Sequence, residues 1–149
     1  MPIREYEDDG DLEIFCEYHV GDVEYGNLLV PLDTSKVGQG GERAIRVVFM
    51  DNPIRDANTI QLVTMRLFNA LVSELESKGY SYQRNSGGTL EVDRTHADED
   101  GGVHRSFTVY APAACANDMA SIKQDIVDAM FSADQKIEHG EDRNFRRET

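Results

Sequence analysis

The chain has 149 residues, 28 of them acidic and 15 basic, for a formal net charge of −13. That length suits one domain, and a hydrophobic fraction of 40% suffices for one core. The acidity disfavours contact with nucleic-acid backbone or anionic membrane, and no apolar run nears the roughly 18–20 residues of a membrane span. Residues 1–11 are acidic, unlike the basic and then apolar start of a signal peptide, so a cytoplasmic protein is expected, or a host-cytoplasmic one if the chain is viral. Two cysteines, Cys16 and Cys115, are too few for a disulfide framework or a cysteine-built zinc site.

Residues 1–24 hold nine acids against the single base Arg4, so the negative charge is concentrated at this end. Residues 1–11 read as an acidic arm. In 12–20, Leu12, Ile14, Cys16, Tyr18 and Val20 alternate with Glu13, Phe15, Glu17 and His19, the period of a half-buried strand. Residues 23–32 form a second extended stretch, with Gly26-Asn27 marking a bulge or bend. The polar, glycine-rich segment 33–41 reads as a mobile loop, and Arg43–Asp51, rich in β-branched residues, as a central strand. Asn52-Pro53 ends it. A long amphipathic helix is predicted over 58–78, where Ile60, Val63, Leu67, Leu71 and Leu75 fall on one stripe. Asn58 with Gln61 resembles a capping box, and Gly79 supplies the stop. Segments 89–96 and 103–111 read as a hairpin around the turn 97–102. Asn117 is the expected N-cap of a second helix carrying Met119, Ile122, Ile126, Met130 and Ile137, ended by Gly140.

The resulting order is β-β-β-α-β-β-α. It predicts an α+β fold, an antiparallel sheet of about five strands with two amphipathic helices on one face. Residues 1–140 form the single domain, and 141–149 a short basic tail. Phe15, Tyr25 and Tyr110 are expected on the sheet's other face, where they would suit a dimer or a partner protein.

Chemistry-bearing candidates are few. Lys36 and the run Gly38-Gln39-Gly40-Gly41 suggest a phosphate loop, but the glycines lead into a strand and no Gly-Lys-Ser/Thr follows, so a plain connection is expected. His96 and His104 flank the hairpin and, with Asp93 and Asp98, would stand near one another, yet His19, His96, His104 and His139 show no metal-site spacing. The Asp98-Glu99-Asp100-Gly101 turn lacks calcium-loop spacing. Cys16 lies on a buried alternation. Cys115, beside the second helix's start, is the more reactive thiol by position, but no Cys-His pattern accompanies it. No catalytic residue, cofactor or metal is assigned.

In element order, size and acidity the chain resembles the larger, second part of type III secretion chaperones, although their usual first helix has no counterpart in residues 1–11. That resemblance implies an acidic, dimeric, cargo-binding body and carries no individual residues. Met1 to Tyr6 resembles the start of small zinc-ribbon regulators, whose paired cysteines are missing here. The expectation is therefore a non-enzymatic, acidic protein-binding module: chaperone-like, an inhibitor or immunity factor, or a virus-encoded counter-defence factor. Its partner is another protein with a basic surface, and homo-oligomerisation is also expected. The residues expected to make contact are Glu5, Glu7, Asp8 and Asp9 of the arm, Asp98, Glu99 and Asp100 of the turn, and Phe145, Arg146 and Arg147 of the tail. The alternatives are a structural subunit of an assembly such as a virion, and a small-ligand- or metal-binding enzyme.

Overall fold

The computed structural model describes residues 3–9, 13–20, 23–54, 56–82, 94–97 and 103–138. Seven strands and two long helices occur among them: β1 Ile3–Asp9, β2 Glu13–Val20, β3 Val23–Pro31, β4 Lys36–Val37, β5 Arg43–Asp51, α1 Ala57–Ser77, β6 Arg94–Ala97, β7 Val103–Ala111 and α2 Met119–Glu138. The sheet is antiparallel throughout, in the order β1-β2-β3-β5-β7-β6, with β4 paired to one end of β5. This is the expected α+β architecture. The five expected strands are present and two more join them. Of the strand expected over 89–96, residues 89–93 lie outside the described residues, as do 98–102 of the turn and Gly140.

Strand alternation decides which face is buried. Ile14, Cys16 and Tyr18 of β2, Leu28 and Val30 of β3, Ile45, Val47 and Phe49 of β5, and Phe107 and Val109 of β7 are all buried. Their neighbours Phe15, Leu29, Val48 and Thr108 are only half-buried, because side chains of a strand alternate between faces. Helices α1 and α2 cover the first face with Leu67, Phe68, Leu71, Ile122, Ile126 and Met130. At the centre, Phe68 stacks on Phe107 with centroids 3.8 Å apart, while Phe49 meets Tyr18, Phe68 and Phe107 edge-on at 5.8, 6.1 and 5.9 Å. Such arrangements match the aromatic quadrupoles and add to the area buried. Polar groups are also sealed inside, among them the Tyr18 and Thr64 hydroxyls 3.1 Å apart.

Three local features differ from the sequence reading. The cap of α1 falls on Asp56, whose carboxylate accepts from the Thr59 amide at 2.9 Å and the Thr59 hydroxyl at 2.8 Å, while Asn58 lies inside the first turn. Two donors three residues on reach an acceptor at position 56, and the capping box at Asn58 does not form. These bonds hold the exposed Asp56 carboxyl below its ordinary range. Asp118 likewise replaces Asn117 as the cap of α2, accepting from the Ser121 amide at 3.1 Å. The glycine-rich loop is a 3-10 turn, the short strand β4 and a tight turn closed by the Gly41 amide on the Gly38 carbonyl at 3.1 Å.

The expected bulge and helix stop both form. Pairing of β2 with β3 runs from Tyr18↔Gly26 to His19↔Glu24, so Tyr25 is the extra residue. The bulge turns Tyr25 towards the core, where it packs, instead of onto the outer face. α1 ends with Gly79 at φ +94°, its amide on the Glu76 carbonyl and the Tyr80 amide on that of Leu75. These are the paired bonds of a Schellman motif, in which glycine takes the left-handed residue without a Cβ penalty.

Candidate interaction surface

The acidic arm is a strand. β1 pairs with β2 from Ile3↔Tyr18 to Asp9↔Glu13, with a register shift between Arg4 and Glu7, and it ends the sheet on that side. Glu5, Glu7, Asp8 and Asp9 therefore belong to an edge strand. In the register Arg4 stands opposite Glu17 and Asp9 opposite Glu13. An edge strand offers backbone groups to any passing chain, and charge with a bulge is a common way to discourage unspecific pairing. Asp98, Glu99, Asp100, Phe145, Arg146 and Arg147 lie outside the described residues.

Helices cover one face, so the other presents the remaining alternation of the strands. There the register draws two rows across the sheet. One runs Glu7, Phe15, Leu29, Val48, Ser106, Arg94, and the next Arg4, Glu17, Asn27, Met50, His104, His96. Phe15, Leu29 and Val48 are half-buried and adjacent across three strands, and Met50 flanks them. An apolar strip thus occupies the middle of the open face.

Formal charge changes sign along the strand order. β1 has Glu5, Glu7, Asp8 and Asp9 against Arg4, β2 has Glu13 and Glu17, and β3 has Glu24. Past the middle, β5 has Arg43 and Arg46 against Asp51, β7 has Arg105 and β6 has Arg94. His19, opposite Glu24, has its Nε2 2.9 Å from a Glu17 carboxylate oxygen. Negative charge therefore gathers at the β1–β2–β3 end, and positive charge at the other.

The remaining candidates resolve into structural parts. His96 and His104 are direct cross-strand partners, as the hairpin implies, while Asp93 and Asp98 lie outside the described residues. Among the described residues, no three or more His, Cys, Asp or Glu are grouped to hold a metal. The amides of Gly38 and Gly41 are spent within the β4–β5 turn, on the Glu42 and Gly38 carbonyls. Cys16 is buried beneath α2, and burial with the nearby negative Asp134 pushes its thiol up to about 12. Cys115 precedes α2 by a turn and a cap, and its thiol donates to the Pro112 carbonyl at 3.6 Å. Asp118, not Cys115, occupies the helix N-terminus. The Tyr80 hydroxyl donates to Asp125 at 2.9 Å, tying the end of α1 to α2, and burial with that carboxylate raises the phenol above its ordinary value.

Fold and surface define an α+β protein with a one-sided helical cover, a sheet face left open among the described residues, and an acidic edge. No helix among the described residues is long and apolar enough to cross a membrane. No family model matches the chain, and no curated protein or solved structure matches it either. The likeness to type III secretion chaperones therefore remains one of element order, size and acidity.

Proposed function

We propose that this chain is a non-enzymatic, acidic protein-binding module whose partner contact lies at the β1–β2–β3 end of the sheet. The observation that carries this reading is the placement of charge. Glu5, Glu7, Asp8 and Asp9 form a sheet edge next to Glu13, Glu17 and Glu24 on adjacent strands. Acids gathered on neighbouring strands raise the local negative potential, steer a basic protein towards the edge and disfavour nucleic acid or another acidic surface. A chaperone-like, inhibitory or counter-defence role would use that surface in the same way, by occupying a basic site on the partner. The reading invokes contact and shape, and no bond-making step.

The test is affinity capture at low salt with the full chain, followed by binding kinetics on the captured protein. Replacing Glu5, Glu7, Asp8 and Asp9 by their neutral amides is expected to slow association by about 10-fold or more, with less effect on dissociation. Raising ionic strength should reproduce the loss in the unmodified chain. Equal association rates for the two chains at low salt would refute the proposal, provided the amide variant keeps its circular dichroism spectrum.

A further inference from the structure

We propose that the open sheet face is the seat of a second copy of this chain, docked about a two-fold axis parallel to the strands. This goes beyond the partner contact above, because it concerns the whole sheet face, with which the acidic edge shares Glu7 and Glu13.

The middle of the face is apolar and lies between β3 and β5, with Leu29 directly opposite Val48 in register and Phe15 next in the row. Apolar side chains half-buried by their own sheet gain further if a second layer closes over them. The six paired strands span roughly 24 Å at about 4.8 Å per spacing, and the longest run to roughly 30 Å at about 3.3 Å per residue. A footprint of roughly 700 Å² is close to the ~800 Å² that each partner of an ordinary stable complex buries.

Charge selects the second copy over a foreign protein. A uniformly basic partner would match the β1–β2–β3 half and be repelled by Arg46, which is exposed on β5 past the middle of the sheet. A second copy carries both signs in the opposite order. An axis parallel to the strands, passing between β3 and β5, lays β3 over β5, β2 over β7 and β1 over β6. Leu29 then sits over Val48 twice, Phe15 falls level with Ser106, and the register position of Glu7 falls over that of Arg94. Continuing the β3–β5 register two residues past Leu29↔Val48 brings Arg46 level with Pro31, beside Glu13. An axis across the strands would instead lay β1 on β1 and acid on acid. A two-fold interface must be self-complementary, and only the first axis makes this surface so. The twist of each sheet rotates the pair by about 30° and leaves the central contacts in place.

Sedimentation velocity on the full chain at about 1–100 µM tests this, and the expected mass is twice the 16.7 kDa of one chain. Val48→Asp should weaken the dimer at least about 100-fold without changing the circular dichroism spectrum, since Val48 faces away from the core. Glu13→Lys and Arg46→Glu should each weaken it about 10-fold, and their combination should recover to within about 3-fold of the native value. In a Cys115→Ser background, mixing Leu29→Cys with Val48→Cys chains should give the mixed disulfide in preference to either homodimer. A monomer at about 100 µM, or dimers indifferent to Val48→Asp, would overturn the proposal. So would charge reversals that add instead of compensating, or Leu29→Cys chains that link mainly to themselves. A monomeric result leaves the partner-capture test intact, and failure of partner capture leaves the mass measurement intact.

Discussion

Gly26→Ala places a methyl group where the structure has no room for one. A Cβ built on Gly26 would overlap the Met50 carbonyl oxygen on β5, come within 3.1 Å of its carbonyl carbon and lie 2.9 Å from the Tyr18 hydroxyl. The backbone there has φ +155°, outside the ordinary range of L-residues. Neither neighbour yields easily. Met50 pairs with Asn27 in the β3–β5 ladder, and the Tyr18 hydroxyl is held to Thr64 inside the core. Overpacking of this kind costs about 1–3 kcal/mol and the unfavourable backbone about 1 more, so a loss near 3 kcal/mol is expected. For a domain of this size that corresponds to a fall in Tm of about 6–12 °C. Thermal unfolding by circular dichroism, with urea titration to check the slope, measures it. Gly40→Ala is the control, since nothing lies within 4 Å of its added Cβ. A Gly26→Ala Tm within about 1 °C of wild type, or equal losses at both positions, would refute the close-approach argument.

Two further outcomes follow from buried polar groups. Because the folded Cys16 thiol is pushed up to about 12, the folded state holds its proton where the unfolded state releases it. Stability is then full below the unfolded value of about 9 and falls as pH rises, by up to about 1.4 kcal/mol per pH unit. Urea unfolding between pH 8.5 and 10 should show the decline and Cys16→Ala should flatten it, whereas an unchanged slope would exclude Cys16 as its source. Tyr80→Phe removes the bond to Asp125 between the helices and should cost about 1 kcal/mol, or about 2–4 °C in Tm, since half-exposed Asp125 regains water.

Much of the fold was legible because local patterns and tertiary burial agree. The alternation of Ile14, Cys16 and Tyr18 and the helical spacing of Leu67, Leu71 and Leu75 name the same buried faces that packing produces. Gly79 was readable because a glycine after a helix has one dominant geometric use, and Gly26 marked a bulge whose extra residue is its neighbour Tyr25. The caps were missed by one or two residues because Asp, Asn, Ser and Thr all cap well, and only the approach of Thr59 and Ser121 selects Asp56 and Asp118. β1 was read as an arm since IREYEDD has no clean alternation of apolar and polar residues. Its bulge breaks the period, and pairing to β2 supplies what the local pattern lacks.

The candidate surface was only half legible. The acids of residues 1–24 are visible to simple counting, but strand order is not, because β3 passes the glycine-rich loop to pair with β5, and β5 skips α1 and β6 to pair with β7. Those non-local pairings turn a list of charges into a gradient and place Phe15, Leu29 and Val48 in one row. Composition and periodicity determined on their own the fold class, the helices and the inward side of each strand, because short-range sterics and hydrophobic burial act along the chain. Only tertiary structure decided which strands are neighbours, that the acidic segment is an edge and that, among the described residues, both helices lie on one sheet face, because backbone hydrogen bonds between distant segments leave no signature in either segment alone.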